Sequence, residues 1–189
     1  MLRILIFVAV WCLGLTGAVV SAQEVVHAMT GTISSIDAAH KMFTLLRYNG
    51  PTITFKDMTD SDAPLIANVK KICSDATAAR ALDKKGTYVI VFYYGLRDNP
   101  TAVAVEALGG GPFTSTVGTV AGFNEKDRMI SVEDRSGSIQ RYKINAHTVA
   151  EGDYGAVDGL RLHAEKGNQV LVVGVADNNG PTALFVNVM

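Results

Sequence analysis

The sequence predicts a mostly β protein made of two tandem five-stranded barrels, the first with a helical insert between its third and fourth strands. Three observations carry this: one pattern occurs twice in the 189 residues, each copy contains five short alternating or β-branched runs, and turn-forming residues separate those runs.

The repeat can be followed residue by residue. Thr30-Gly31-Thr32-Ile33, then Ile36-Asp37, returns 87 positions later as Val117-Gly118-Thr119-Val120, then Phe123-Asn124. At the same offset Lys41-Met42-Phe43-Thr44-Leu45 matches Arg128-Met129-Ile130-Ser131-Val132, and Phe55-Lys56 matches Tyr142-Lys143. Lys85-Gly86-Thr87-Tyr88-Val89-Ile90-Val91 matches Lys166-Gly167-Asn168-Gln169-Val170-Leu171-Val172 at an offset of 81, as Pro100-Thr101-Ala102 matches Pro181-Thr182-Ala183. The first copy therefore holds six more residues between its third and fourth strands. Gly109-Gly110-Gly111-Pro112 reads as a flexible joint with a stop. The expected organisation is a leader over 1–22, a barrel over 23–108, a linker over 109–113 and a second barrel over 114–189.

Strands are expected at 27–36, 40–46, 51–57, 87–95 and 101–108, and again at 115–123, 127–133, 138–144, 168–175 and 181–188. Tyr48-Asn49-Gly50-Pro51 and Asp134-Arg135-Ser136-Gly137 mark the turns between strands two and three. Asp98-Asn99-Pro100 and Asp177-Asn178-Asn179-Gly180 mark those between four and five. Comparing copies sets the buried face: Phe43 and Leu45 align with Ile130 and Val132, all apolar, whereas Thr44 and Leu46 align with Ser131 and Glu133. Gly31 and Gly118, inside a strand, suit a bulge or sharp coil. In the insert, Asp62 caps a helix, Pro64 occupies its first turn, and Leu65, Val69 and Ile72 form one apolar stripe with Ile66 and Cys73 beside it. A second helical run is expected at 76–82, and a more loop-like connection in the second copy around Asp153-Tyr154-Gly155 and Asp158-Gly159. Five strands with a helix between the third and fourth is the order of an OB-like barrel. Units of about eighty residues bury only a modest core, a limit that packing two copies together would ease.

The first 22 residues have one cation, Arg3, an apolar run from Ile4 to Val20, and Ser21-Ala22 at the end, the pattern of a signal peptide cleaved before Gln23. This implies a periplasmic or secreted protein with no membrane span after cleavage. The competing reading, a retained anchor, has Gly14, Thr16 and Gly17 against it and a run at the short limit for a spanning helix. The leader accounts for much of the mean hydropathy of +0.21. It removes Arg3, so 17 cations against 18 acids becomes 16 against 18, a net of −2. That balance argues against duplex binding, and two cysteines, one of them in the leader, exclude a disulfide scaffold. Cys73, the thiol left after cleavage, reads as a small buried hydrophobe on the helix stripe or as a bridge in a homodimer.

The run Gly-Thr-Ile, Ile-Asp, Lys-Met-Phe-Thr-Leu, a helical insert, Lys-Gly into Tyr-Val-Ile-Val and a closing Thr-Ala-Val-Ala-Val resembles the small OB-like repeats of secreted bacterial proteins of unknown function. The resemblance implies the fold and an exported location and attaches no activity. In strand order the chain is also similar to the periplasmic copper-binding proteins of heavy-metal efflux systems. Those hold Cu(I) with a His, two alternating Met and a Trp near strands two and three, whereas 44–48 and 51–55 here contain none of these, and Trp11 lies in the leader.

Candidate chemistry comes in two sets. His27, Met29, His40 and Met42, with Met58 further on, are imidazole and thioether groups of the kind that bind soft metals, without the spacing of an established motif. Tyr88, Phe92, Tyr93 and Tyr94 form an aromatic cluster on strand four whose counterparts are Gln169, Val173, Gly174 and Val175. Such a cluster can stack bases in an OB barrel, but export and net negative charge point away from nucleic acid. It is expected to fill the first barrel, to line the contact between domains, or to form a groove for a small molecule or partner. No nucleophile elbow, zinc-protease helix or phosphate loop occurs, and Asp57, Asp60 and Asp62 suit a helix start. The functional expectation is an exported, non-enzymatic binding or assembly module of the bacterial cell envelope, without a cofactor. The alternative is a periplasmic soft-metal carrier using the His and Met residues.

Overall fold

The structure, a computed structural model, describes residues 24–48, 50–57, 63–95, 98–109, 111–177 and 180–189. The leader, Met58, Asp60 and Asp62 lie outside them. The first half forms β1 (His27–Asp37), β2 (Met42–Leu46), β3 (Ile53–Asp57), α1 (Ala63–Ile72), β4 (Thr77–Ala78), β5 (Tyr88–Tyr94) and β6 (Thr101–Ala107). The second forms β7 (Phe113–Asn124), β8 (Met129–Asp134), β9 (Ile139–Lys143), β10 (Val149–Gly152), β11 (Gly155–Asp158), β12 (Gln169–Val175) and β13 (Thr182–Val188).

Each half closes on itself. In the first, the strand order β3-β2-β1-β5-β6 is joined into a ring by the parallel pairing of β3 with β6, at Lys56 with Thr101. In the second, β9-β8-β7-β12-β13 closes in the same way at Lys143 with Thr182. Both rings have the OB-like arrangement, with α1 between the third and fourth barrel strands of the first. The copies agree in detail. Lys56 N donates to Pro100 O and Lys143 N to Pro181 O, and Gly86 N donates to Ile33 O as Gly167 N does to Val120 O. Lys41 and Arg128 take the left-handed conformation at equivalent turns, with φ of 53° and 52°.

The paired sequences account for the two interiors. Phe43, Leu45, Ile130 and Val132 are all buried, as the alternation requires. Gly31 and Gly118 serve a closer purpose than the expected bulge. The register shifts fall later, between Ile33 and Ser35 and between Val120 and Gly122. A Cβ at Gly31 would meet the carbonyl oxygen of Leu46, and one at Gly118 that of Glu133, so glycine lets neighbouring backbones approach as the sheet coils.

The connections between strands three and four differ from expectation in two places. Residues 76–82 do not form a second helix: Thr77 and Ala78 pair with Val105 and Ala104 on the open edge of β6, and Ala79–Ala81 make a 3-10 turn. The backbone of this alanine-rich stretch finds partners on a sheet edge that its local sequence does not reveal. In the second copy the expected loop is a hairpin, β10 with β11, turned at Asp153-Tyr154 with Gly155 at φ 93°. Its β10 strand runs parallel to β13 through Val149 with Phe185.

A third apolar cluster lies between the barrels. Val69 of α1, Ile90 and Phe92 of β5, and Val103 of β6 meet Val149, Val173 and Phe185 of the second half. Leu65, Ile66 and Ile72 pack against it, which is how the predicted helix stripe is buried. Among the described residues no helix is long and apolar enough to cross a membrane.

Candidate functional site

The β5 aromatics separate by strand parity. Tyr88, Phe92 and Tyr94 face the cluster between the barrels, whereas Tyr93 packs against the first interior. Phe92 is fully buried, and Tyr88 stacks on Phe113 of the second barrel at 4.9 Å between ring centroids. The four therefore do not share one open groove. Two of the three placements expected from sequence, the barrel interior and the domain contact, are each occupied by part of the set.

The His and Met set is also divided. β1 has 11 residues, a rise of roughly 30 Å, with His27 and Met29 near its start and Asp37 paired with Met42 at its end. His40 sits in the turn, where its Nδ1 lies 2.7 Å from Asp37 Oδ2 and holds that carboxyl below its usual range. Met29 packs on the first interior. Among the described residues, no three His, Cys, Asp or Glu side chains gather as a metal site.

The contact between barrels carries polar fastenings that local sequence does not show. Glu151, on β10, accepts from His27 Nδ1 at 2.6 Å and from the backbone N–H of Ala28 at 2.7 Å. With Glu151 ionised, and so acceptor-only, the proton of this bond is on His27 Nδ1. Burial raises the Glu151 pKa against the lowering effect of these two donors. The backbone N–H of Ala156 on β11 donates to Val26 O, and a Cβ at Gly155 would collide with Val25. Cys73 is buried and donates to Glu106 Oε2 at 3.1 Å. Desolvation and the neighbouring carboxyl push its thiol up to about 12, the reverse of what a nucleophilic cysteine needs. Glu106 is itself raised, chiefly by burial.

Beside this contact, the hairpin in the place of the helix borders a cleft of about 400 Å³ on the second barrel. Its floor includes Val157, Leu162 and Val188, and its rim carries Glu151, Arg161 and His163. Arg161 Nε is held 2.7 Å from Asp158 Oδ2, so its guanidinium is oriented at the cleft edge. Tyr154 stands at the hairpin tip 95% exposed, an amphipathic ring in the position of a contact residue. The loop expected for this segment is a paired hairpin, and its exposed tip residue, Tyr154, is not among the candidate residues of the sequence. The two-residue turn Asp153-Tyr154 before Gly155 is the signal that marks it. None of the known protein families matches the chain, and neither does any of the curated proteins compared with it.

Proposed function

We propose that the protein is an exported, non-enzymatic binding or assembly module of the bacterial cell envelope, with the β10–β11 hairpin and its cleft as the contact surface. The observation that carries this is Tyr154, fully exposed at the rim of a cleft with an apolar floor and a charged edge. Apolar centres with polar rims and protruding aromatics are the usual anatomy of recognition surfaces. The shared apolar cluster and the two hydrogen bonds on Glu151 support the reading, since they fasten the hairpin to β1 and give the tip a defined base.

The test is a photo-crosslinking residue introduced at position 154 in the producing cell, with one at exposed Lys126 as control. A discrete adduct from position 154 alone is expected, and adducts no stronger than the control would overturn the assignment. N-terminal sequencing of the processed protein should read from Gln23. Native mass spectrometry with Cu(I) and Zn(II) should show no stoichiometric retention, and retention of either would favour the carrier alternative.

A further inference from the structure

The interior of the second barrel changes character along its length. Side chains alternate on each strand, so Gly118 and Val120 share their face of β7 with Thr114 and Thr116, and Ile130 and Val132 share theirs of β8 with Asp134. The apolar members are deep in the barrel. The polar ones, with Gln140 and Tyr142 of β9, line a recess of about 390 Å³ at one mouth, which Asp177 and Pro181 border from the β12–β13 turn.

The first barrel has the same wall with different occupants. Where the second copy has Thr114, Thr116, Tyr142 and Gly174, the first has His27, Met29, Phe55 and Tyr93. The pairings agree, His27 facing Tyr93 as Thr114 faces Gly174. Tyr93 meets Phe55 edge-on at 5.5 Å and lies 5.7 Å from the His27 ring, which fills that mouth with aromatic groups. At Gly174 a Cβ would come within 2.8 Å of Tyr142 Cε1, so the Tyr142 ring occupies the space a side chain would need. Its hydroxyl then lies 2.6 Å from Thr116 Oγ1. An aromatic plug in one copy is a hydroxyl-lined recess in the other.

Thr116 and Asp134 also border an adjoining recess of about 380 Å³, whose wall includes Tyr48 from the first barrel. Tyr48 is 52% exposed and offers a ring face. We infer that this mouth binds a neutral polyhydroxylated ligand, a short oligosaccharide, with Tyr48 as its stacking face. Sugar hydroxyls need donors and acceptors side by side, and the apolar C–H face of a sugar ring suits an aromatic surface. The Thr116–Tyr142 pair uses one of its two hydroxyl hydrogens and keeps the other for a ligand. Gln140 offers both an amide donor and an acceptor. Asp134 takes three hydrogen bonds, from Ser136 N, Ser136 Oγ and Ser138 N, all at Oδ1. These bonds hold its carboxyl below the usual range, so it is a charged acceptor for a sugar hydroxyl. The inner recess has two carboxylates in its lining, Asp134 and Asp177, and no Lys or Arg, which disfavours anionic ligands there; the adjoining recess beside Tyr48 carries one cation, Arg135, next to Asp134.

The experiment is a panel of neutral hexose and N-acetylhexosamine oligomers, with uronic-acid and sulfated oligomers as controls, titrated calorimetrically into the purified protein. Saturable binding to a neutral oligomer is expected. Thr116→Met, which installs the first copy's residue, and Gln140→Ala should each weaken it about tenfold, the value of one lost hydrogen bond. Tyr48→Ala should weaken it less, and Tyr154→Ala should leave it intact, which separates this site from the hairpin cleft. Gln140 is exposed, so its variant stays informative even where Thr116→Met disturbs folding. No binding across the neutral panel, a preference for charged oligomers, or full binding by Gln140→Ala would each overturn the inference.

Discussion

Replacing Tyr88 by Phe should make the protein more stable. The Tyr88 hydroxyl is buried with no hydrogen-bond partner among the described residues, while its ring stacks on Phe113 at 4.9 Å. An unsatisfied buried hydroxyl costs about 1–3 kcal/mol, and an aromatic pair contributes roughly 0.5–1.5 kcal/mol beyond area burial. Tyr88→Phe removes the cost and keeps the pair, for an expected gain of about 1–3 kcal/mol. In a chain of this size that raises Tm by roughly 2–4 °C for each kcal/mol. Tyr88→Ala loses the ring and should move the other way, by about 1–3 kcal/mol for a half-buried aromatic. A cycle combining Tyr88→Ala with Phe113→Ala should return a coupling of about 0.5–1.5 kcal/mol. Urea denaturation followed by circular dichroism measures all of these, with a constant m-value as the check on two-state unfolding. A Tyr88→Phe protein less stable than the parent would refute the reasoning, because the hydroxyl would then have a hydrogen-bond partner in the folded state.

Three further outcomes are expected. Gly118→Ala forces a Cβ against the Glu133 carbonyl and should destabilise by about 1–3 kcal/mol or more, whereas Gly122→Ala, where nothing lies within 4 Å, should be neutral or gain about 0.4–1 kcal/mol by chemical denaturation. Cys73, with its thiol pushed up to about 12, should react with a thiol reagent at pH 8 on the order of a thousandfold more slowly in the native than in the unfolded protein; equal rates would contradict its placement. Glu106 and Glu151 are both raised by burial, so the folded state holds their protons more tightly than the unfolded state. Their contribution is therefore greatest below the ordinary carboxyl range and falls as pH rises through it to the raised values. Tm measured between pH 4 and 7 should fall less steeply in Glu106→Gln, which keeps an acceptor for the Cys73 thiol.

The barrels were legible because strand parity and repetition reinforce each other. Phe43 and Leu45 against Ile130 and Val132 set the inward face twice over, and Pro64 with the Leu65, Val69 and Ile72 stripe placed the helix. What escaped depends on distant partners. The alanine-rich 76–82 stretch reads as helical until the open edge of β6 is present to pair with Thr77 and Ala78. The His27–Glu151 contact joins residues 124 positions apart, beyond the reach of any local pattern. Strand alternation alone would have separated Tyr93 from Tyr88, Phe92 and Tyr94, since adjacent residues in a strand face opposite ways. The polar mouth of the second barrel was present in the aligned copies as Tyr93 against Gly174. Its meaning needed the geometry showing that Tyr142 takes up the vacated space.

The apolar cluster between the barrels has a consequence for whether either half could stand alone. With Phe92 and Val103 of the first half buried against Val173 and Phe185 of the second, neither half can stand alone without presenting an apolar face to water. The short tether through 109–112 keeps the two faces at an effective concentration that separate chains in dilute solution would not reach. The first barrel has its mouth filled with aromatic rings, the second has a hairpin where the first has a helix and a recess where the first has a plug, so one inseparable unit carries two unlike ends.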